Sequence, residues 1–386
     1  MNKKLMAVAV AGALAAPALA LAQGSTVQIY GTLKAEYGRV SMPKVVAPGT
    51  GYNSWDGLNS GSSNIGFRGE EKLGGGMSAF FQCESDLRFL GGTTRTSGSL
   101  CDRNSALGLK GGFGSVFVGT WDSPDKLAVG KTRISEDTGW FGVTHMLLGE
   151  SNRTAHSINY HSPNFNGFTF AAQTSSTNAA SNTLSTPTPS DRKGRANSFN
   201  VIYDKGPLAV AFGYTQQDDV AANQGGLETF TAAQLLTLTA AEDKNMSLGA
   251  TYTFGPAKVG LTYTKQDVSG SSAIAANRLD ADRNAWNLAG TYKLGGPGSI
   301  WAAYTKAGDV KGTDGGVLIP GKTGAKEYQI GYAHDMSKRT SMGIGYARVK
   351  NDTLGDYTVG GTAATAGINV AGFKTSVIAA YMFHRF

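Results

Sequence analysis

The chain has 386 residues, 53 of them glycine, with 16% charged residues, 41% hydrophobic residues and a formal charge of +7. Glycine is about twice its usual share and charge lies well below the usual ~25%. Collagen is excluded because the glycines have no period of three, and the hydrophobic and aromatic content excludes disorder. Beyond the first 22 residues no apolar run approaches the ~20 residues of a membrane-spanning helix. Dispersed apolar residues among Gly, Ser, Thr, Tyr and Phe leave β structure.

Residues 1–22 open with Lys3 and Lys4, run through an apolar stretch from Leu5, and end on Ala20-Leu21-Ala22. This is the pattern of a secretory signal peptide cut before Gln23. Removing two lysines from 35 basic residues leaves 33 against 28 acids, a mature charge of +5. No basic run is long enough for a nucleic-acid patch, so no nucleic-acid partner is expected. Export brings Cys83 and Cys101 into an oxidising compartment, where a disulfide persists once formed. Alternation puts Cys83 on the apolar face and Cys101 nearer the polar one, which argues against easy geometry. A bonded and a free pair both stay open.

From Ser25 onward the chain alternates with period two, and each segment ends in turn residues. Strands are expected near 25–40, 62–73, 76–89, 102–111, 114–121, 153–163, 167–176, 196–205, 207–218, 243–255, 257–267, 283–294, 298–308, 325–335, 338–350 and 372–386. In the first, Val27, Ile29, Leu33, Ala35 and Tyr37 oppose Gln28, Thr32, Lys34 and Glu36. Further on, Met246, Leu248, Ala250, Tyr252 and Phe254 oppose Ser247, Gly249, Thr251 and Thr253. A soluble sandwich would carry many charges on its outer faces. Here the polar face is small and neutral, which suits water on that side and lipid on the other. A sheet in lipid must pair all its backbone groups and therefore closes into a barrel.

The expected fold is all-β: one 16-stranded antiparallel transmembrane β-barrel over residues 23–386. Connections alternate between short Gly, Pro and Asn turns and long polar loops, and sixteen strands leave an aqueous lumen. The loop segment Leu227 to Ala241 has the makeup of a short helix.

The stretches VQIYGTLKAEY (27–37), SSNIGFRGEEKLGGGMSAFFQCE (62–84), RNSALGLKGGFGSVFVGTWDSP (103–124), NRTAHSINYHSPNFNGFTF (152–170) and the terminal YMFHRF (381–386) span the mature chain. On these it resembles the general diffusion porins of Gram-negative bacteria, of the β-proteobacterial type. The resemblance implies a homotrimeric outer-membrane channel whose third external loop folds into the lumen as a constriction. It also implies outer-membrane lipids, lipopolysaccharide and the insertion machinery as partners, the last reading Phe386 as an assembly signal. Small hydrophilic solutes and ions would be the cargo. No cofactor, no metal and no enzymatic activity are implied.

By position the infolded loop is about 122–152, with the acids Asp122, Asp125, Glu136 and Asp137. Family porins set such acids against an arginine cluster, and lumen charge tunes selectivity. Alternation puts Lys34, Arg68, Arg103 and Arg153 on the lumenal face as a basic wall, with Glu84 and Asp86 as lumen acids. Arg103 and Arg153 fall where the family keeps its arginines. Two departures are Asn64, where the family usually has arginine, and Lys34, where relatives often carry an acid. With the +5 charge, the wall predicts weak anion selectivity.

The same residues bear on other functions. A substrate-specific channel would show an aromatic track in the lumen, whereas Tyr30, Phe80, Trp301 and Tyr381 are scattered over several strands. An adhesin on a barrel mount would need an extra domain, and no stretch of ~50 residues escapes the strand pattern. Residues 316–323 (GVLIPGKT) match the phosphate-loop pattern, but no strand precedes them and no helix is expected after them. The five histidines lack zinc spacing, and His161 reads as a polar pore residue.

Overall fold

The computed structural model describes residues 26–42, 54–90, 100–134, 139–149, 153–176, 195–218, 238–272, 278–314, 317–359 and 372–386. The expected signal peptide and its cut site lie outside the described residues, as do Glu136 and Asp137.

The strands are β1 (Thr26–Ser41), β2 in two segments (Trp55–Asn59 and Asn64–Gly74), β3 (Met77–Asp86), β4 (Ser105–Gly111) and β5 (Gly114–Asp122). Two helices follow, α1 (Pro124–Thr132) and α2 (Val143–Leu148). Next come β6 (Arg153–His161), β7 (Phe168–Ser176), β8 (Arg195–Lys205), β9 (Leu208–Asp218), β10 (Leu238–Phe254), β11 (Ala257–Ser272) and β12 (Arg278–Lys293). The last are β13 (Gly298–Ala307 and Lys311–Asp314), β14 (Val317–Leu318 and Ala325–Asp335), β15 (Thr340–Asn351) and β16 (Lys374–Arg385). Each strand pairs antiparallel with its successor, and β16 returns to β1 with Thr32 opposite Arg385 and Ser41 opposite Ser376. Phe386 completes the seam, because its N–H and C=O exchange hydrogen bonds with Gly31 at 3.1 and 3.2 Å. The result is a closed sixteen-stranded barrel with no free edge, as lipid requires.

The split of β2 is a bulge. Asn59 pairs with Glu36 and Asn64 with Thr32, so residues 60–63 face only 33–35. The Lys34 N–H left over by the interrupted ladder donates to Ser63 Oγ at 2.8 Å. Sequence reading missed Trp55–Asn59 because Asp56 and Gly57 dilute its pattern. It also stopped short in β10, where 238–241 continue the strand instead of ending a helix; residues 227–237 lie outside the described residues.

The turns at one end are short. Phe254 and Ala257 are joined by Gly255-Pro256, with Gly255 at φ 56°, a left-handed conformation that costs glycine little. Long connections lie at the other end, which is the external side in barrels of this kind. Alternation holds as read: Val27, Ile29, Leu248, Leu261, Leu288 and Ile378 all point outward and are more than half exposed. Aromatic contacts join adjacent strands on this outer face, with Trp286–Tyr304 and Tyr304–Tyr328 at 5.0 Å and Phe168–Tyr203 at 4.7 Å. An apolar exterior running round the barrel is the surface of a chain solvated by lipid.

Residues Gly316 to Thr323 do not make a phosphate loop. Val317–Leu318 is strand, Ala325 begins strand again, and Thr323 Oγ1 accepts the Val310 N–H at 2.7 Å instead of facing a ligand.

Cys83 and Cys101 are joined by a disulfide, with their Cα atoms 4.7 Å apart. Alternation misplaced Cys101 because that residue precedes β4 and has φ 66°, so strand geometry does not set its direction. Its N–H donates to Ser85 Oγ, on the same outward face of β3 as Cys83. Thiol labelling of the denatured, unreduced protein should find no free cysteine, and two after reduction. Closing a loop of this length contributes about 3 kcal/mol in the chain-entropy account. Because it spans a loop, a Cys83→Ser/Cys101→Ser variant should still form the barrel, as heat-shifted mobility on a gel would check.

Candidate functional site

The segment between β5 and β6 turns into the barrel. Ser123 caps α1, its Oγ accepting the Lys126 N–H at 3.2 Å, with Pro124 at the first helical position. The helix lies on the inner faces of β8–β11. The Asp125 N–H donates to Ser198 Oγ and the Asp125 carboxylate accepts from Ser247. Pro124 C=O accepts from Asn200 Nδ2 at 2.7 Å, and the hydroxyls of Thr132 and Thr262 meet at 2.9 Å. The small, neutral inner face read from the sequence is thus largely a bed for this loop.

Further on, the loop docks by acids and aromatics. Glu36, on β1, accepts the N–H groups of Gly139 and Trp140 at 2.8 and 3.0 Å. Glu327 accepts the Thr144 hydroxyl at 2.7 Å, and Gln329 donates to Phe141 C=O at 2.8 Å. Arg283, 3% exposed, donates to Met146 C=O and to the Tyr357 hydroxyl. Trp140, Phe141, Leu147 and Leu148 are buried in one apolar cluster with Val40, Trp301, Val349, Val377 and Tyr381. Phe141 meets Trp301 at 5.3 Å and Tyr381 at 6.3 Å, so two aromatics read as pore-lining are covered by the loop.

The wall formed by β2–β6 carries the charge. Arg103 pairs with Glu84 at 2.7 Å and Asp86 at 3.4 Å. Arg153 pairs with Asp122 at 3.2 Å, and its Nε donates to Asn104 Oδ1 at 2.6 Å. Asp122 also holds Lys126 of α1 at 2.8 Å, tying the loop to the wall. Arg103 lies in the connection ahead of β4. Burial works against its charged form, but the Glu84 hydrogen bond and the fields of Glu84, Asp86 and Asp122 outweigh it and raise its pKa above the ordinary value. Arg68 is exposed and bonds a neutral group, Gln28 Oε1, at 3.0 Å, with its guanidinium 4.9 Å over the Tyr30 ring. Tyr30 in turn donates to Glu84 at 3.1 Å.

The structure therefore brings Arg68, Arg103, Arg153, Glu84, Asp86 and Asp122 together, and separates two others from them. Asp125 is 2% exposed against the opposite wall, so it holds the loop in place instead of facing open water. Lys34 points inward as expected but is 7% exposed, beside the β2 bulge and 5.4 Å from the Phe383 ring. Sequence reasoning gave Lys126 only as one of the loop's charged residues, with no partner, and assigned no role to Glu36, Glu327 and Arg283. The last three were legible only as inward positions, since what covers them comes from a loop more than a hundred residues away. His161 is inward as read, yet packs on Phe117 and Trp121 at 5.1 and 6.4 Å. Among the described residues no three His, Cys, Asp or Glu side chains are placed to hold a metal.

A closed barrel with a loop lodged inside is an architecture shared with known proteins. Residues 7–354 match the family described as Gram-negative porin. The chain belongs to the Gram-negative porin family. It is 30% identical over 370 residues to outer membrane porin protein 32 of Delftia acidovorans, covering 92% of each chain. Its fold is similar to that of the anion-selective porin from Comamonas acidovorans, with a TM-score of 0.71 and 25% identity over 94% of this chain and all of that one. It is also 25% identical over 379 residues to a monosaccharide porin of a Halomonas species, covering 94% of this chain and 91% of the relative. As a Gram-negative porin it is located in the outer membrane, which it crosses with strands, and its apolar exterior is the lipid face.

Proposed function

We propose that this porin is a passive diffusion pore for small hydrophilic solutes and ions, weakly selective for anions and working as a homotrimer after removal of residues 1–22. The observation that carries the reading is the infolded loop, which leaves open the wall bearing Arg68, Arg103 and Arg153. Arg68, Arg88, Arg103, Arg153 and Lys126 face Glu84, Asp86, Asp102 and Asp122 there, five basic groups against four acids, with Arg68 bonded to neutral Gln28. A near balance of charge supports weak rather than strong discrimination. The +5 mature charge and the likeness to a porin described as anion-selective point the same way.

The roles follow from position. Arg68, Arg103 and Arg153 set the positive side of the field, Asp122 with Glu84 and Asp86 the negative side, and Asp125 fastens the loop. Phe386, whose backbone closes the seam with Gly31 and whose side chain lies outward, is the assembly signal. In a planar bilayer the purified protein should give ohmic, water-filled steps, and a salt gradient should give a reversal potential of the sign for anions. Absence of ohmic steps removes the pore reading, while a clear cation preference removes only the selectivity.

A further inference from the structure

We propose that the inner wall between the charged cluster and the short-turn end holds a weak subsite for neutral pyranose sugars, reading a ring solute as it leaves the constriction. This deepens the diffusion-pore reading and rests on it. The observation is a wide-open, shallow cavity of about 420 Å³ at the short-turn rim, where Glu70, Ser78, Lys110, Ser115 and His161 line it beside the turn glycines. These residues belong to β2–β6 and sit in one band across the sheet, with Ser78 opposite Lys110 and Ser115 opposite both Lys110 and His161. The volume is in the range of small-molecule sites, about 300–1,000 Å³.

Two features select the chemistry. Lys110 Nζ lies 2.6 Å from Glu70 Oε2, so the two charges cancel locally. What the cavity offers is ammonium N–H donors, carboxylate acceptors and two serine hydroxyls. Such a mixture satisfies the adjacent hydroxyls of a sugar, whereas an anion would have to break the pair. The second feature is the aromatic lip. Phe80 stands two residues along β3 from Ser78, and Phe117 two along β5 from Ser115, on the same inner face. Phe80 meets Phe117 at 5.8 Å and Phe117 meets Trp121 at 4.9 Å; Phe117 is itself buried, so Phe80 and Trp121 present the accessible aromatic surface above it, reaching up to Asp122. Apolar walls with a few convergent polar groups recognise a ring with C–H faces and a hydroxyl edge. Of the lumen aromatics read from the sequence, Phe80 belongs to this group, and Phe117 and Trp121 join it here.

The test is single-channel current through the purified porin with glucose, with acyclic sorbitol and with benzoate at equal concentration. Glucose should reduce the ion current at least threefold more than sorbitol, which matches its hydroxyls but has no ring. Phe80→Leu, which keeps an apolar side chain at an inward position, should weaken the glucose effect at least fivefold. Lys110→Met combined with Glu70→Gln should do the same without touching the aromatic lip. Equal effects of glucose and sorbitol on a conducting wild-type channel overturn the subsite, as does wild-type behaviour of both variants. Stronger block by benzoate than by glucose overturns the neutral-ring assignment. A protein without ohmic conductance overturns the pore reading itself.

Discussion

Phe141→Ala should enlarge the pore and make its current noisy while leaving the barrel assembled. Phe141 is fully buried between Trp301 and Tyr381, and truncating a buried phenylalanine costs about 3–5 kcal/mol. Nearly all of that loss falls on the docking of the 139–149 segment, because the ladder of β1–β16 makes its hydrogen bonds without the loop. The small residue opposite adds to the effect: a Cβ on Gly345 would come within 2.8 Å of Phe141 Cζ, so the site is shaped around this ring. The hydrogen bonds that remain, among them those from the Gly139 and Trp140 N–H groups to Glu36 and from Thr144 to Glu327, would hold the segment near the wall without seating it. Single-channel recording checks this. A Phe141→Ala channel with wild-type conductance and noise would mean that the apolar cluster does not position the loop.

Arg68→Glu should reverse the ion preference, the largest change expected from a single wall residue. Arg68 is exposed in the lumen and bonds Gln28, so replacing it does not leave a buried acid unpaired. At a separation of ~10 Å in water one unit charge alters an ion's energy by about 0.4 kcal/mol. That is roughly a twofold change in local anion concentration, and the charge reversal moves two units, or about fourfold. Arg103→Gln should behave differently. It takes one cation from Glu84 and Asp86, which keep Tyr30 and Arg88 as partners, so its effect combines lost charge with rearrangement of two partly buried carboxylates. Reversal potentials in a salt gradient separate the two. An unchanged potential for Arg68→Glu would place the narrowest part of the pore away from β2.

Strand alternation made most of the architecture readable, and the reasons are local. Val27, Ile29, Leu33 and Tyr37 point outward because side chains alternate along a strand, and lipid keeps that face apolar. The seams of β2 and β13 were hidden, since a bulge inserts one residue and breaks the period that carries the signal. In the site, Arg103 and Arg153 were legible by resemblance, and Glu84 and Asp86 by alternation. Asp125 and Lys34 were placed on the correct face and given the wrong surroundings. Alternation reports the side of the wall on which a residue lies, and says nothing of whether a loop covers it.

That division describes the molecule as a whole. The sequence by itself determined a closed, lipid-facing sheet with a watered interior, because low charge, abundant glycine and period two follow from two different solvents on its two faces. Only the tertiary structure decided which part of that interior stays open. The choice depends on contacts between residues far apart in the chain: Glu36 with Gly139, Phe141 with Trp301, Asp125 with Ser247, and Asp122 with Arg153. Such pairings arise from the path of the loop after the barrel closes, and no local pattern encodes that path.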